Sequence, residues 1–129
     1  MAITHLLAVR TAMADLVVDK IDIGSTNATG RLQLKNAGGT VLATCNFSNP
    51  AFGAAASGIA TANAIADGTV TASGTIAKFT IIDRDATEVF SGSVTAIGGG
   101  GDLESDGVSL VVSADDLIPV TALTYQAPN

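Results

Sequence analysis

Hydrophobic residues recur with two different periods along this chain, and the change of period divides it. Between Leu6 and Ile21, the residues Leu6, Val9, Met13, Leu16, Val17, Lys20 and Ile21 fall near helical spacing, with Arg10, Asp15 and Asp19 to the outside. Thr4 stands where an N-cap would stand and Gly24 where a helix stops, so a helix is expected from about His5 to Asp22. Its apolar face, formed by Val9, Met13, Leu16, Val17 and Ile21, is assigned to the domain's own core. The alternative is an arm that docks on a partner.

Past Gly24 the period becomes two. Arg31 to Lys35 alternates polar and apolar as a half-buried strand does, and Asn36-Ala37-Gly38-Gly39 turns the chain into a second strand over Thr40–Phe47. Alternation places Val41, Ala43, Cys45 and Phe47 on one face, so Cys45 is expected to be a buried, inert thiol. Thr75 to Ile97 reads as a central hairpin broken at Asp83-Arg84-Asp85-Ala86, with Phe79, Ile81 and Phe90 as core residues. A two-residue loop would set Phe79 opposite Phe90, and a three-residue loop would set Ile81 opposite Val89. Arg84-Asp85 suits the positive φ angles of a tight primed turn poorly, which favours the longer loop.

The remaining segments are less regular. Ala51 to Asp67 is alanine-rich but interrupted by Gly53 and Gly58, and is expected to be a crossover with a short helical turn or a strand near Ile59–Ile65. Gly98 to Gly101 breaks any regular element. One or two strands are expected around Val108–Ser113 and Val120–Tyr125, separated by Asp115-Asp116 and Pro119.

Composition narrows the function. The 129 residues suffice for one domain, taken as 1–129: the helix at about 5–22, a β domain over 30–125 and a short C-terminal tail. Aromatic residues make up 4% of the chain and Trp is absent, so Ala, Gly, Thr and Val carry the packing. Small side chains remove little area from water, which leaves a modest driving force and points to stabilisation by neighbours. The net charge is −6, and the six basic residues are spread singly from Arg10 to Arg84, which argues against nucleic acid as a partner. The N-terminal stretch has no basic n-region, and Arg10, Asp15, Asp19 and Lys20 interrupt it. It is expected to be neither a signal peptide nor a membrane span.

Candidate chemistry is sparse. Asp102-Leu103-Glu104-Ser105-Asp106-Gly107 resembles the first half of a calcium loop, which makes Asp102, Glu104 and Asp106 the weak metal candidates. The twelfth position, where a bidentate Glu belongs, is Ser113, so a solvated acidic turn is the preferred reading. Asp83 and Asp85 would add carboxylates if the loops met. Gly98–Gly101 lacks the Gly-Lys-Ser/Thr ending of a phosphate loop. A single histidine, His5, and a single cysteine, Cys45, supply neither a nucleophile–base pair nor a zinc set. No enzyme, cofactor or small-molecule substrate is expected.

Two stretches carry a family resemblance: Ala8-Val9-Arg10, Ala14-Asp15, Val18-Asp19 and Asp22 followed by Ser48-Asn49-Pro50-Ala51-Phe52-Gly53-Ala54, and Phe79-Thr80-Ile81, Asp83-Arg84-Asp85 and Val89–Thr95 running into Gly98–Asp102. Together they resemble small structural proteins of tailed bacteriophages, associated with the head genes beside the major capsid protein. The family's central turn is expected to hold Gly where this chain has Ala86. The resemblance implies a virion component made in the host cytoplasm and placed on the capsid surface, most plausibly a cement (decoration) protein. Its implied partners are the major capsid protein and further copies of itself, as a dimer or trimer. A collar, tail-tip or fibre component is the alternative, and a calcium-dependent adhesion module the third. The architecture expected is mainly β: a small antiparallel β-sandwich or jelly-roll-like domain with one N-terminal helix packed on it. Docking is assigned to loops, strand edges and the tail ending Gln126-Ala127-Pro128-Asn129.

Overall fold

The structure is a computed structural model that describes residues 3–96, 98–105, 109–120 and 122–127. The chain passes through one helix, α1 (Leu7–Asp19), continued by a 3-10 turn (Lys20–Asp22), and then through strands β1 (Arg31–Lys35), β2 (Val41–Asn46), β3 (Ile59–Thr61), β4 (Gly68–Val70), β5 (Gly74–Thr75), β6 (Lys78–Ile82), β7 (Glu88–Ala96), β8 (Leu103–Ser105), β9 (Val111–Val112), β10 (Leu117–Ile118) and β11 (Thr124–Gln126). Seven of these form one curled sheet in the order β10-β4-β2-β1-β6-β7-β8, and β11-β3 and β5-β9 make two small ribbons beside it. The protein is mainly β with one N-terminal helix, as the alternation in its sequence implies. The sheet is mixed rather than purely antiparallel, because β8 pairs with the end of β7 in parallel.

Alternation sorts the sheet into two faces. Leu32, Leu34, Ala43, Cys45, Val70, Phe79, Ile81 and Val94 turn inward and are buried. Gln33, Lys35, Thr44, Lys78, Thr80, Ser91 and Ser93 occupy the intervening positions on the outer face. Cys45 packs so closely on β4 that a Cβ at Gly68 would lie 2.6 Å from its sulfur.

Two bulges alter the expected registers. In β2, Lys35 faces Val41 and Leu34 faces Ala43, so Leu42 is the extra residue. Val41 therefore leaves the face shared by Ala43, Cys45 and Phe47, and Leu42 is buried against Gly74 of β5. In the central hairpin, the Asp83 N–H donates to the Thr87 carbonyl at 2.9 Å and Ile82 faces Glu88, which is the longer loop. Val89 then bulges, so Ile81 faces Phe90 and neither expected pairing of the core residues is realised. Phe79 meets Phe90 edge-on across the diagonal, with ring centroids 6.3 Å apart.

The helix departs furthest from expectation. It starts at Leu7, with Leu6 in the N-cap position and no side-chain cap, while Thr4 is exposed. Its buried residues are Ala14 and Val18, joined by Ile21 from the 3-10 turn. Its main strand contacts are with β3 and β11, the side ribbon. Ile21 is buried as expected and Met13 is partly buried against the core, but Val9 is 43% and Leu16 61% exposed. Val17 is half-buried.

Candidate functional site: an apolar helix face turned outward

The orientation of α1 follows from its polar side chains, which reach inward to the backbone of the alanine-rich crossover. The Asp15 carboxylate accepts the Ala55 N–H at 2.7 Å, the Thr11 hydroxyl accepts the Gly58 N–H at 3.0 Å, and the Asp22 carboxylate accepts the Ala51 N–H at 2.9 Å. Arg10 lies along Gly58, where a Cβ would come within 3.3 Å of the Arg10 Cβ. Burial raises the Asp22 carboxyl above the ordinary carboxylate range against the opposing pull of the Ala51 N–H. The irregular crossover has few partners of its own, and these side chains supply them. Close approach of the two segments needs small residues at the contact, and Ala14 meets that need.

With Ala14, Val18 and Ile21 turned in beside these bonded polar side chains, the helix shows water Leu6, Val9 and Leu16, with Met13 half-covered between them. These four recur at spacings of three, four and three residues, a single stripe along one side of a helix. Ile3, Leu7 and Ile23 extend the apolar surface at its ends. The helical period of the sequence is thus divided between Ile21, which is buried, and Leu6, Val9 and Leu16 on the outer face, and the assignment of Val9 and Leu16 to the core is corrected.

The sheet offers a second exposed feature. Glu88–Gly92 of β7 pairs with β6 on one side, while β8 covers only Val94–Ala96 on the other. Asp102 closes the next position, its carboxylate accepting both the N–H (3.0 Å) and the hydroxyl (3.1 Å) of Ser93. Among the described residues, the outer side of Glu88–Gly92 carries no strand.

The acidic loops bind the protein's own backbone. The Ser93 N–H and hydroxyl hold the Asp102 carboxyl below its ordinary range, and Glu104 accepts the Gly98 N–H at 2.7 Å. Leu103–Ser105, read as part of a turn, is strand β8; Asp106 lies outside the described residues. Asp83 accepts the N–H groups of Asp85 and Thr87, and Asp85 accepts those of Ser25 and Thr26, so the hairpin loop clasps the chain leaving the helix. Among the described residues no group of three or more His, Cys, Asp or Glu side chains is arranged to hold a metal ion. The Gly101 N–H donates to the Thr95 hydroxyl and the Gly99 N–H to the Ala96 carbonyl, so the glycine run is folded back on β7.

The C-terminal segment is part of the body. β11 pairs with β3, the Ala127 N–H donates to the Gly58 carbonyl at 3.0 Å, and Tyr125 stacks near Phe90 at 5.1 Å. Of the tail to which docking was assigned, Gln126 and Ala127 are thus paired with the body; Pro128 and Asn129 lie outside the described residues.

Comparison with known proteins finds no family model, no curated protein and no solved structure that matches this chain. No helix among the described residues is long and apolar enough to cross a membrane.

Proposed function

We propose that this protein is a structural component of a tailed-phage virion, a cement protein that binds the head shell through the outer face of α1. The observation that carries the reading is the exposed stripe Leu6, Val9 and Leu16, which faces water while Ala14, Val18 and Ile21, with the bonded Thr11, Asp15 and Asp22, face the body. An exposed apolar stripe favours a partner that removes it from water, at about 25 cal/mol per Å2 covered. The small-residue composition supports the same reading, because a shell lattice would add the apolar burial that Ala- and Gly-rich packing lacks.

The partners under this reading are the major capsid protein and neighbouring copies of the chain. The uncovered edge of β7 is a second place where a neighbouring strand would add backbone hydrogen bonds. Mixing the purified protein with empty heads of the phage that encodes it, then sedimenting the heads and imaging them by cryo-microscopy, tests the proposal. Symmetric density on the shell with α1 at the contact is the expected result. Density at the collar, tail tip or fibres would move the protein to that part of the virion, and absence from the particle would refute a virion role.

A further inference from the structure

On the outer face of the sheet, well away from the helix in sequence, two lysines are paired with each other. Lys35 of β1 lies directly opposite Lys78 of β6 in the antiparallel register. Direct neighbours of this kind have Cβ atoms about 5 Å apart, and like charges there are destabilising. Neither ammonium has a carboxylate partner among the described residues, although the chain carries twelve acidic side chains. Asp102, in the same row, is already engaged by Ser93, the residue facing Lys78 from β7.

The two lysines line a groove of about 450 Å3 that crosses β1, β6 and β7 from the turn at Gly39 to Ser91 and Ser93. Thr80 forms part of its wall and is 6% exposed, the one buried polar residue among those described. Among the described residues, the buried side-chain atoms left without a partner lie elsewhere, on His5, Arg10 and Arg31, so the Thr80 hydroxyl is not a stranded buried group and enters only as part of the groove wall. Ser91 faces Thr80 across the strands and brings a second hydroxyl to the same groove. Two lysines and two hydroxyl-bearing residues thus line one surface, a set of donors that suits an oxyanion acceptor.

We infer that this groove binds the carboxylates of an acidic peptide segment, with Lys35 and Lys78 holding the charge and Thr80 and Ser91 donating to the oxygens. The groove is open to solvent and runs across three strands, a longer surface than a single inorganic anion covers. Lysines act as separated point charges that suit carboxylates spaced along a chain, and the planar fork of Arg that matches one phosphate bidentately is absent from the groove lining. The net charge of −6 disfavours a long polyanion such as nucleic acid, whereas a short acidic segment meets only the local field of the two lysines. The inference does not depend on the helix docking proposed above.

The test is an amide chemical-shift titration of the full chain with a hexaglutamate peptide at low salt. A hexaglutamine peptide and inorganic phosphate, at matched ionic strength, serve as separate arms. Expected are saturable shifts confined to residues 33–35, 78–80 and 91–93 with hexaglutamate, and none with hexaglutamine. A Lys35→Gln/Lys78→Gln variant, altered at partly exposed positions, should keep the fold and lose affinity at least about tenfold. Thr80→Val, which removes a groove hydroxyl while keeping the shape of the side chain, should retain the shift pattern of the folded chain and bind more weakly than the parent. Shifts scattered over the surface, equal binding by hexaglutamine, or unchanged affinity in the double-lysine variant would overturn the inference. Phosphate giving the same shifts with equal affinity would also overturn it, leaving a site for free anions only.

Discussion

The Asp15 carboxylate accepts the Ala55 N–H at 2.7 Å while the next residue, Leu16, is 61% exposed. The pair shows which interaction sets the roll of α1: backbone donors of the 51–58 crossover need acceptors, and the helix supplies them from Thr11, Asp15 and Asp22. An unmade hydrogen bond at a buried donor costs about 1–3 kcal/mol, comparable to the burial of one aliphatic side chain, so three such bonds are large enough to offset the exposure of the stripe.

The hairpin loop holds a strained residue. Ala86 sits at φ +66°, in the left-handed region, and is exposed. Ala86→Gly removes the Cβ from that conformation and is expected to stabilise the protein by about 0.5–1 kcal/mol. Thermal melting checks this, and a lower melting temperature for the variant would show that the turn is not strained.

Cys45 is fully buried, and burial pushes its thiol up to about 11. Thiol reagents are expected to react slowly with the folded protein and quickly in denaturant. The folded value lies above that of the unfolded thiol, so this contribution to stability is complete below about pH 9 and is lost as pH rises from there towards about 11. At about 1.4 kcal/mol per unit, the effect approaches 2–3 kcal/mol. Denaturant melts at pH 8 and about 10.5 should therefore show a smaller pH loss for Cys45→Ala than for the parent. Equal losses would place the thiol in contact with water.

Asp85 joins two distant stretches of chain. Backbone donation from Ser25 and Thr26 holds its carboxyl below the ordinary range. A lowered folded value means that its contribution is present above the unfolded carboxylate range and is lost as pH falls through the folded value. Hydrogen exchange at the Ser25 and Thr26 amides is expected to be protected at neutral pH. In Asp85→Ala that protection should fall while exchange in β1 and β6 is unchanged. Undiminished protection in the variant would assign these amides to other acceptors.

Much of the fold was legible because strand alternation is local. Arg31–Lys35, Thr40–Phe47 and the hairpin around Asp83–Ala86 read directly as strands and turns, and the burial of Cys45, Ile81, Phe79 and Ile21 followed. The bulges at Leu42 and Val89 were not legible, since they depend on what packs across the sheet; Leu42 turns towards β5, more than thirty residues along the chain. Helical spacing located α1, but period alone does not distinguish a core-facing stripe from a partner-facing one. The missing signal was the backbone of 51–58, whose need for acceptors becomes visible only once it lies beside the helix. The groove between Lys35 and Lys78 was hidden for a similar reason: the two lysines are 43 residues apart and meet only through the β1–β6 register.

The outer face of α1 is the central claim, and it is tested most directly by charging the stripe without touching the core. Leu6→Glu at the N-terminal end and Leu16→Lys near the C-terminal end each suit the helix dipole, so the double variant should melt within about 1 kcal/mol of the parent. Val18→Asp, at a buried position, should by contrast unfold the protein. Occupancy of empty heads by the folded double variant is the measurement. The account predicts that it falls to background; full occupancy would show that the helix faces solvent in the assembled virion and that the docking surface lies elsewhere.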